Sequence, residues 1–221
     1  MADRPIIFSA PMVRALLDGR KTQTRRVLKP QPPPSARYAG VRFATGLPDC
    51  WFFNPPFAVR EVYAVGDRLW VREAWCTNFL ISGGSERTPA GCHYRADGKH
   101  VIVDDGDGYA VLNKNGTEKS PWRPSIHMPR WASRLTLTVT DVRVQRLQEI
   151  SEEDAWAEGL EWAAPTWGVK GLAESWNGDP RLAFAALWNS LHGPAAWDAN
   201  PWVAAITFTV ERRNIDAREA A

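Results

Sequence analysis

The chain has 221 residues, enough for one substantial core or a compact domain carrying large insertions, and too few for two typical domains. Charged residues make up 24% and hydrophobic ones 44%, an ordinary globular balance, and the formal charge of only +2 excludes bulk electrostatic binding of nucleic acid, so any basic site must be local. No apolar run approaches the roughly 20 residues of a membrane span, and the opening MADRPIIFSA lacks a signal peptide's long apolar region, so a cytoplasmic protein without membrane contact is expected.

Cys50, Cys76 and Cys92 form no CxxC pair and read as reduced thiols rather than a disulfide framework. His93, His100, His127 and His192 lack HxxxH or HExxH spacing, so no metal site is expected, and nothing indicates a cofactor. The twelve tryptophans are unusual; most are expected to fill the core, though a flat aromatic surface can also stack on a base.

Along the chain, Ser9 followed by Met12, Val13, Leu16 and Leu17 predicts a short amphipathic helix capped by Ser9 and ended by Gly19. The run KPQPPP opens a surface excursion with weak periodicity to about residue 64, an expected insertion. From Gly66, a strand is predicted in which Leu69, Val71, Glu73 and Trp75 share one face. Residues 76–125, rich in Gly, Asp, Asn and Lys, read as a hairpin-like second insertion with strand-like pieces at Val101–Val103 and Tyr109–Val111. Leu135, Leu137 and Val139 alternate, then the pattern shifts to Val142 and Val144, which predicts a bulge or bend at Thr140-Asp141.

Ser151 with Asp154 resembles a capping box opening the helix SEEDAWAEGL, ending near Gly159. Asp179-Pro180 caps a helix with Leu182, Ala185, Ala186, Trp188 and Leu191 at helical spacing, stopped by Gly193, and Trp188 is expected in the core. A final strand runs from Trp202 to Val210, and the tail from Arg212 is expected to fray. Together these elements predict a mixed α+β fold, one domain over residues 1–213 with residues 214–221 as a flexible tail, in which a small bent barrel is favoured over a parallel sheet.

The densest cluster of functional side chains is Gly19–Arg26, GRKTQTRR, which is either a basic turn facing water after a helix or a working site. Gly19, Lys21, Thr24 and Arg26 resemble the GxKxxTxR signature of ASCH domains in the PUA-like barrel superfamily, at the same place after the first helix. GDRLWVREAW is similar to that family's core strand with its Glu, and MPRWASRLTLTVTDVRVQRLQEISEEDAWAEGL with NPWVAAITF resembles a phage and prophage branch, together about half the chain. The resemblance implies a PUA-like small bent β-barrel with short flanking helices and two long insertions. Its relatives include a bacterial amidohydrolase that removes acetyl from 4-acetylcytidine with a Lys, a Thr and a Glu, which here would be Lys21, Thr24 and Glu73.

In that chemistry a neutral lysine deprotonates a threonine hydroxyl. Lys21 must then lose its proton near pH 7, at a cost of about 4 kcal/mol from a reference pKa near 10.4, which burial and the nearby Arg25 and Arg26 would supply. Glu73, on an apolar face, would protonate the leaving amine; alternatively it is a buried partner for Arg26. Arg130 and Arg134 flank Trp131, an arrangement suited to a base and its phosphate, unless Trp131 packs inside and its arginines reach solvent. His127 reads as a surface histidine. Two functions follow: hydrolysis of an amide or acyl group on a modified nucleoside, or non-catalytic RNA or DNA binding in which Lys21 and Arg26 hold phosphate, Thr24 hydrogen-bonds and aromatics stack the base. In either, Gly19, Arg25, Arg26, Arg130, Trp131 and Arg134 are the expected substrate or nucleic-acid contacts. Some members of the family resemble ribonucleases, and a phage accessory role in a host cytoplasm fits any of these.

Overall fold

The computed structural model describes residues 2–42, 50–54, 57–60, 62–81, 87–97, 122–163, 166–168 and 176–217. The strand-like pieces expected at Val101–Val103 and Tyr109–Val111 lie outside the described residues, as do residues 218–221. In chain order the elements are β1 (Asp3–Ile7), α1 (Ala10–Leu17), β2 (Gln23–Val27), β3 (Arg37–Arg42), β4 (Cys50–Asn54), β5 (Phe57–Arg60), β6 (Arg68–Arg72), β7 (Trp75–Ile81) and β8 (Arg87–Tyr94). There follow β9 (Thr136–Arg146), α2 (Glu152–Ala157), β10 (Glu161–Ala163), β11 (Thr166–Gly168), β12 (Trp176–Asn177), α3 (Pro180–His192) and β13 (Trp202–Glu211). The fold is mixed α+β, with far more strand than helix, and no helix among the described residues is long and apolar enough to cross a membrane.

The central sheet has the order β1-β6-β9-β13-β2, with β1 parallel to β6 and the other neighbours antiparallel. It is an open sheet with edges at β1 and β2, and not the closed small barrel expected from the sequence. The bend does lie where the shifted apolar pattern put it: Thr207 faces Asp141 while Phe208 faces Val139, so Thr140 is the extra residue of a bulge. The alternation around β6 also holds, with Leu69, Val71, Glu73 and Trp75 all buried, although the strand itself stops at Arg72 and Glu73 lies in the break before β7.

The excursion after Pro30 is more ordered than its sequence suggests. β3, β4 and β5 form a second antiparallel sheet whose Trp51, Phe53 and Val59 join the main core, and the Phe53 ring meets Trp202 of β13 edge-on at 5.0 Å. β7 and β8 pair as a hairpin. The chain end is also anchored as far as Ala217: Ile215 is buried, and the Asn214 amide donates to the carbonyls of Arg130, Trp131 and Ser133. Residues 212–217, expected to fray, are thus tied to the Arg130–Ser133 turn by the two amide hydrogens of Asn214, shared among three carbonyls.

The helix ends follow their sequence signals with two differences. Ser9 occupies the N-cap of α1 in extended conformation but makes no side-chain cap bond, and proline early in α1 removes one of the amides such a bond would serve. Ser151 accepts the Asp154 amide at 3.1 Å, yet the Asp154 carboxylate turns to Arg25, Arg143 and Gln23 rather than back to the cap, leaving the box half formed. α2 ends at Gly159, whose φ of +92° is natural to glycine, and a Cβ there would stand 2.9 Å from the Ala15 Cβ and 3.0 Å from the Lys21 Cβ. That close approach sets the end of α2 directly on the α1–β2 turn. Gly159→Ala is expected to lower stability by about 1–3 kcal/mol, read as a shift in the urea midpoint at unchanged m-value.

Candidate active site

Gly19, with a φ of +74°, reverses the chain after α1, and the amides of Arg20 and Lys21 both donate to the Ala15 carbonyl, at 2.9 and 3.0 Å. This turn delivers Lys21 to the C-terminus of α2. There the Thr22 amide donates to the Ala157 carbonyl, and Lys21 Nζ donates to the Glu158 carbonyl at 2.9 Å, so carbonyls at the helix end find partners. Lys21 Nζ also meets Glu158 Oε2 at 2.6 Å, and both side chains are withdrawn from water, at 1% and 5% exposure.

Arg25 closes the network. Its guanidinium donates to Glu158 Oε1 at 3.0 Å and to Asp154 Oδ2 at 2.9 Å, with its side chain fully buried. Asp154 further accepts from Gln23 and from Arg143. Arg25 is therefore a bridge inside the protein as well as a lining residue of the cleft that Lys21 and Thr24 share. Phe8 lies beneath both Lys21 Nζ, at 5.6 Å from the ring centre, and Arg26, at 5.1 Å.

Lys21 and Thr24 line one cleft of about 370 Å³, together with Phe8, Arg26, Glu158, Trp188 and His192. That size suits a small organic ligand. Thr24 is nearly buried on β2 opposite Ile206, and among the described residues no group hydrogen-bonds its hydroxyl. Burial pulls the Lys21 pKa down, the Glu158 carboxylate pulls it up, Arg26 and Arg25 push it down again, and the net direction is downward. The cleft therefore offers a hydroxyl and an amine held toward its neutral form, with a carboxylate on that amine.

Glu73 does not line this cleft. Its carboxylate is taken bidentately by Arg134, at 2.9 and 3.0 Å, and its amide donates to the Met128 sulfur. The carboxylate that meets Lys21 is Glu158, and the buried partner of Glu73 is Arg134, not Arg26. Sequence reading passed over Glu158, although a signal was present: Asp154 and Glu158 stand i, i+4 on one short helix face, a like-charge pair that is unfavourable without cations opposite.

The Arg130–Trp131–Arg134 trio does not form a clamp around an open site. Arg130 is held by Asp3 and Asp216, joining β1 to the C-terminal segment. Arg134 is held by Glu73 and Asp97 and lies over the Tyr94 ring at 4.0 Å. Trp131 is 58% exposed and meets Trp75 edge-on at 5.9 Å. His127 is exposed, and Trp188 is buried in the core while also forming part of the cleft wall. Gly19 forms the turn, with open space where a Cβ would lie. Among the described residues no group of three or more His, Cys, Asp or Glu side chains could hold a metal ion.

Comparison of the chain with protein families, with curated proteins and with solved structures gave no match in any of the three.

Burial raises the Glu73 pKa while Arg134 opposes that rise. The folded chain thus holds this proton more tightly than the unfolded chain, and the stability linked to it is full below the ordinary carboxyl pKa and lost as pH rises through the raised one. Arg134→Met removes the opposing charge and leaves Glu73 buried alone. The variant is expected to be about 3 kcal/mol less stable than the parent at pH 8 and distinctly less penalised at pH 5, measured by urea unfolding at both pH values.

Proposed function

We propose that the chain hydrolyses an amide or acyl group on a modified nucleoside of the 4-acetylcytidine kind, with Thr24 as nucleophile, Lys21 as base and Glu158 as its proton-carrying partner. The observation that carries this reading is the buried Lys21–Glu158 pair lining the same ligand-sized cleft as Thr24. The resemblance of Gly19, Lys21, Thr24 and Arg26 to the ASCH signature supports it, and the reading of the fold as PUA-like belongs to the same proposal.

In this mechanism neutral Lys21 takes the Thr24 proton as Oγ1 attacks the acyl carbon. The tetrahedral intermediate collapses as the proton on Lys21 passes, through Glu158, to the leaving nitrogen, which departs as a free amine. Water then loses a proton to Lys21 and attacks the acyl-threonine ester, and the returning Thr24 oxygen takes that proton as the carboxylic acid leaves. Burial makes the neutral amine attainable, and Glu158 sets how much of the enzyme holds it. Arg25 is a positioning residue, fixing the second Glu158 oxygen so that the first faces Lys21.

A non-catalytic nucleic-acid reader is the weaker reading, because the arginines flanking Trp131 are already engaged by carboxylates. Assay against 4-acetylcytidine and related acylated nucleosides separates the two. Lys21→Ala, Thr24→Ala and Glu158→Gln are each expected to lower kcat by about 10²-fold or more, while Glu73→Gln keeps kcat within about threefold, a spread in keeping with a group remote from the chemistry. Absence of turnover by the parent protein across the panel, with salt-dependent RNA binding retained, would overturn the hydrolase reading.

A further inference from the structure

A second cleft, of about 530 Å³, opens beside the first, and the two share Arg25, Arg26 and His192 as lining residues. Its remaining walls include Lys29, Trp51, Val62 and Tyr63, and no carboxylate is among the described residues that line it. With Arg25 held by Glu158 and Asp154, the charges left at the seam are Arg26 and Lys29, with His192 beside them.

Arg26 is unusual among the described arginines near the site. It has no carboxylate partner among the described residues; one terminal nitrogen donates to the Ile7 carbonyl at 2.8 Å, and Nε is buried without an acceptor. The side chain as a whole is partly buried and feels the Glu158 charge, but a buried guanidinium nitrogen without an acceptor is costly unless a ligand completes it. Lys29, exposed at the rim, is likewise without a partner among the described residues. The exposed His192 ring lies tilted against Trp188, ring centres 4.1 Å apart, and partial desolvation together with Arg26 and Lys29 holds its pKa below the ordinary imidazole value, the direction expected where positive charges gather.

We infer that the seam formed by Arg26, Lys29 and His192 binds a phosphate, so that the substrate carries its modified base into the Lys21–Thr24 cleft on a phosphorylated ribose. This inference rests on the nucleoside reading of that cleft. The phosphate is either the monoester of a mononucleotide or the diester of a short strand; in the second case the next nucleoside enters the second cleft, where Tyr63 supplies an aromatic face. A guanidinium fork, an ammonium and an imidazole match phosphate oxygens better than they match any neutral part of a nucleoside. Arg134, by contrast, is already engaged by the carboxylates of Glu73 and Asp97.

The test is calorimetric titration of the full chain with cytidine, cytidine 5′-monophosphate and a cytidine-containing dinucleotide. The monophosphate or the dinucleotide is expected to bind at least about tenfold more tightly than cytidine, a gain typical of charge-assisted contacts. Lys29→Ala, an exposed substitution that leaves the core untouched, and His192→Gln should each remove much of that gain, and Arg26→Met most of it. A gain confined to the monophosphate assigns the monoester, and one requiring the dinucleotide assigns the diester. Equal affinity for all three ligands, or a gain that survives both Lys29→Ala and His192→Gln, would overturn the inference. The two readings fail separately: a chain that hydrolyses acylated nucleosides but shows no phosphate gain refutes the seam alone, whereas a phosphate gain without hydrolysis refutes the hydrolase alone.

Discussion

Much of this structure depends on how four charged side chains are kept out of water between the α1–β2 turn and α2. Lys21, Arg25, Glu158 and Asp154 are all largely withdrawn from solvent and linked by contacts of 2.6 to 3.0 Å. Burying such charges gives little net stability compared with apolar packing, but removing any one of them strands its partner in a poorly solvating interior. The network therefore works as a constraint on geometry. It fixes the end of α2 against the turn, and Gly159 permits the contact because no side chain fits between that helix end and Lys21.

The same constraint shapes the clefts. β2 is an edge strand of the sheet, so its residues 24–26 are available on the side not paired with β13. α3 contributes Phe184, Trp188 and His192 as a wall, while the turn between β1 and α1 supplies Phe8 beneath the cations. Arg25 is absorbed by two carboxylates and Lys21 by one, whereas Arg26, their neighbour in sequence, has no carboxylate in contact among the described residues. One short basic segment is thus divided into a buried network and an open cationic seam. Glu73 and Arg134 form a separate buried pair, sharing the physical logic of the first but not its cleft.

The sequence disclosed the elements whose signals are local. The shift from Leu135, Leu137 and Val139 to Val142 and Val144 located the bulge at Thr140, and the Asp179, Gly159 and Gly193 signals placed helix ends correctly. Lys21 and Thr24 were legible as a pair only through the resemblance of their segment to the ASCH signature. The choice of carboxylate was not, since alternation places Glu73 on an interior face but cannot say which cation meets it there. That depends on Arg134 arriving 61 residues later and on Glu158 arriving 137 residues after Lys21. The sheet of β3, β4 and β5 was hidden for a related reason: its apolar residues have meaning only against Trp202 and the main core, while the prolines around them read locally as loop.

The hydrolase account requires the acyl group to pass through a covalent bond to Thr24. Rapid quenching of the chain during turnover of 4-acetylcytidine, followed by peptide mass mapping, tests that requirement directly. The account predicts one acetyl group on the Thr24 hydroxyl, accumulating within the turnover time and absent from Lys21→Ala; steady release of acetate with Thr24 unmodified, or an acetyl group carried by another residue, would contradict it.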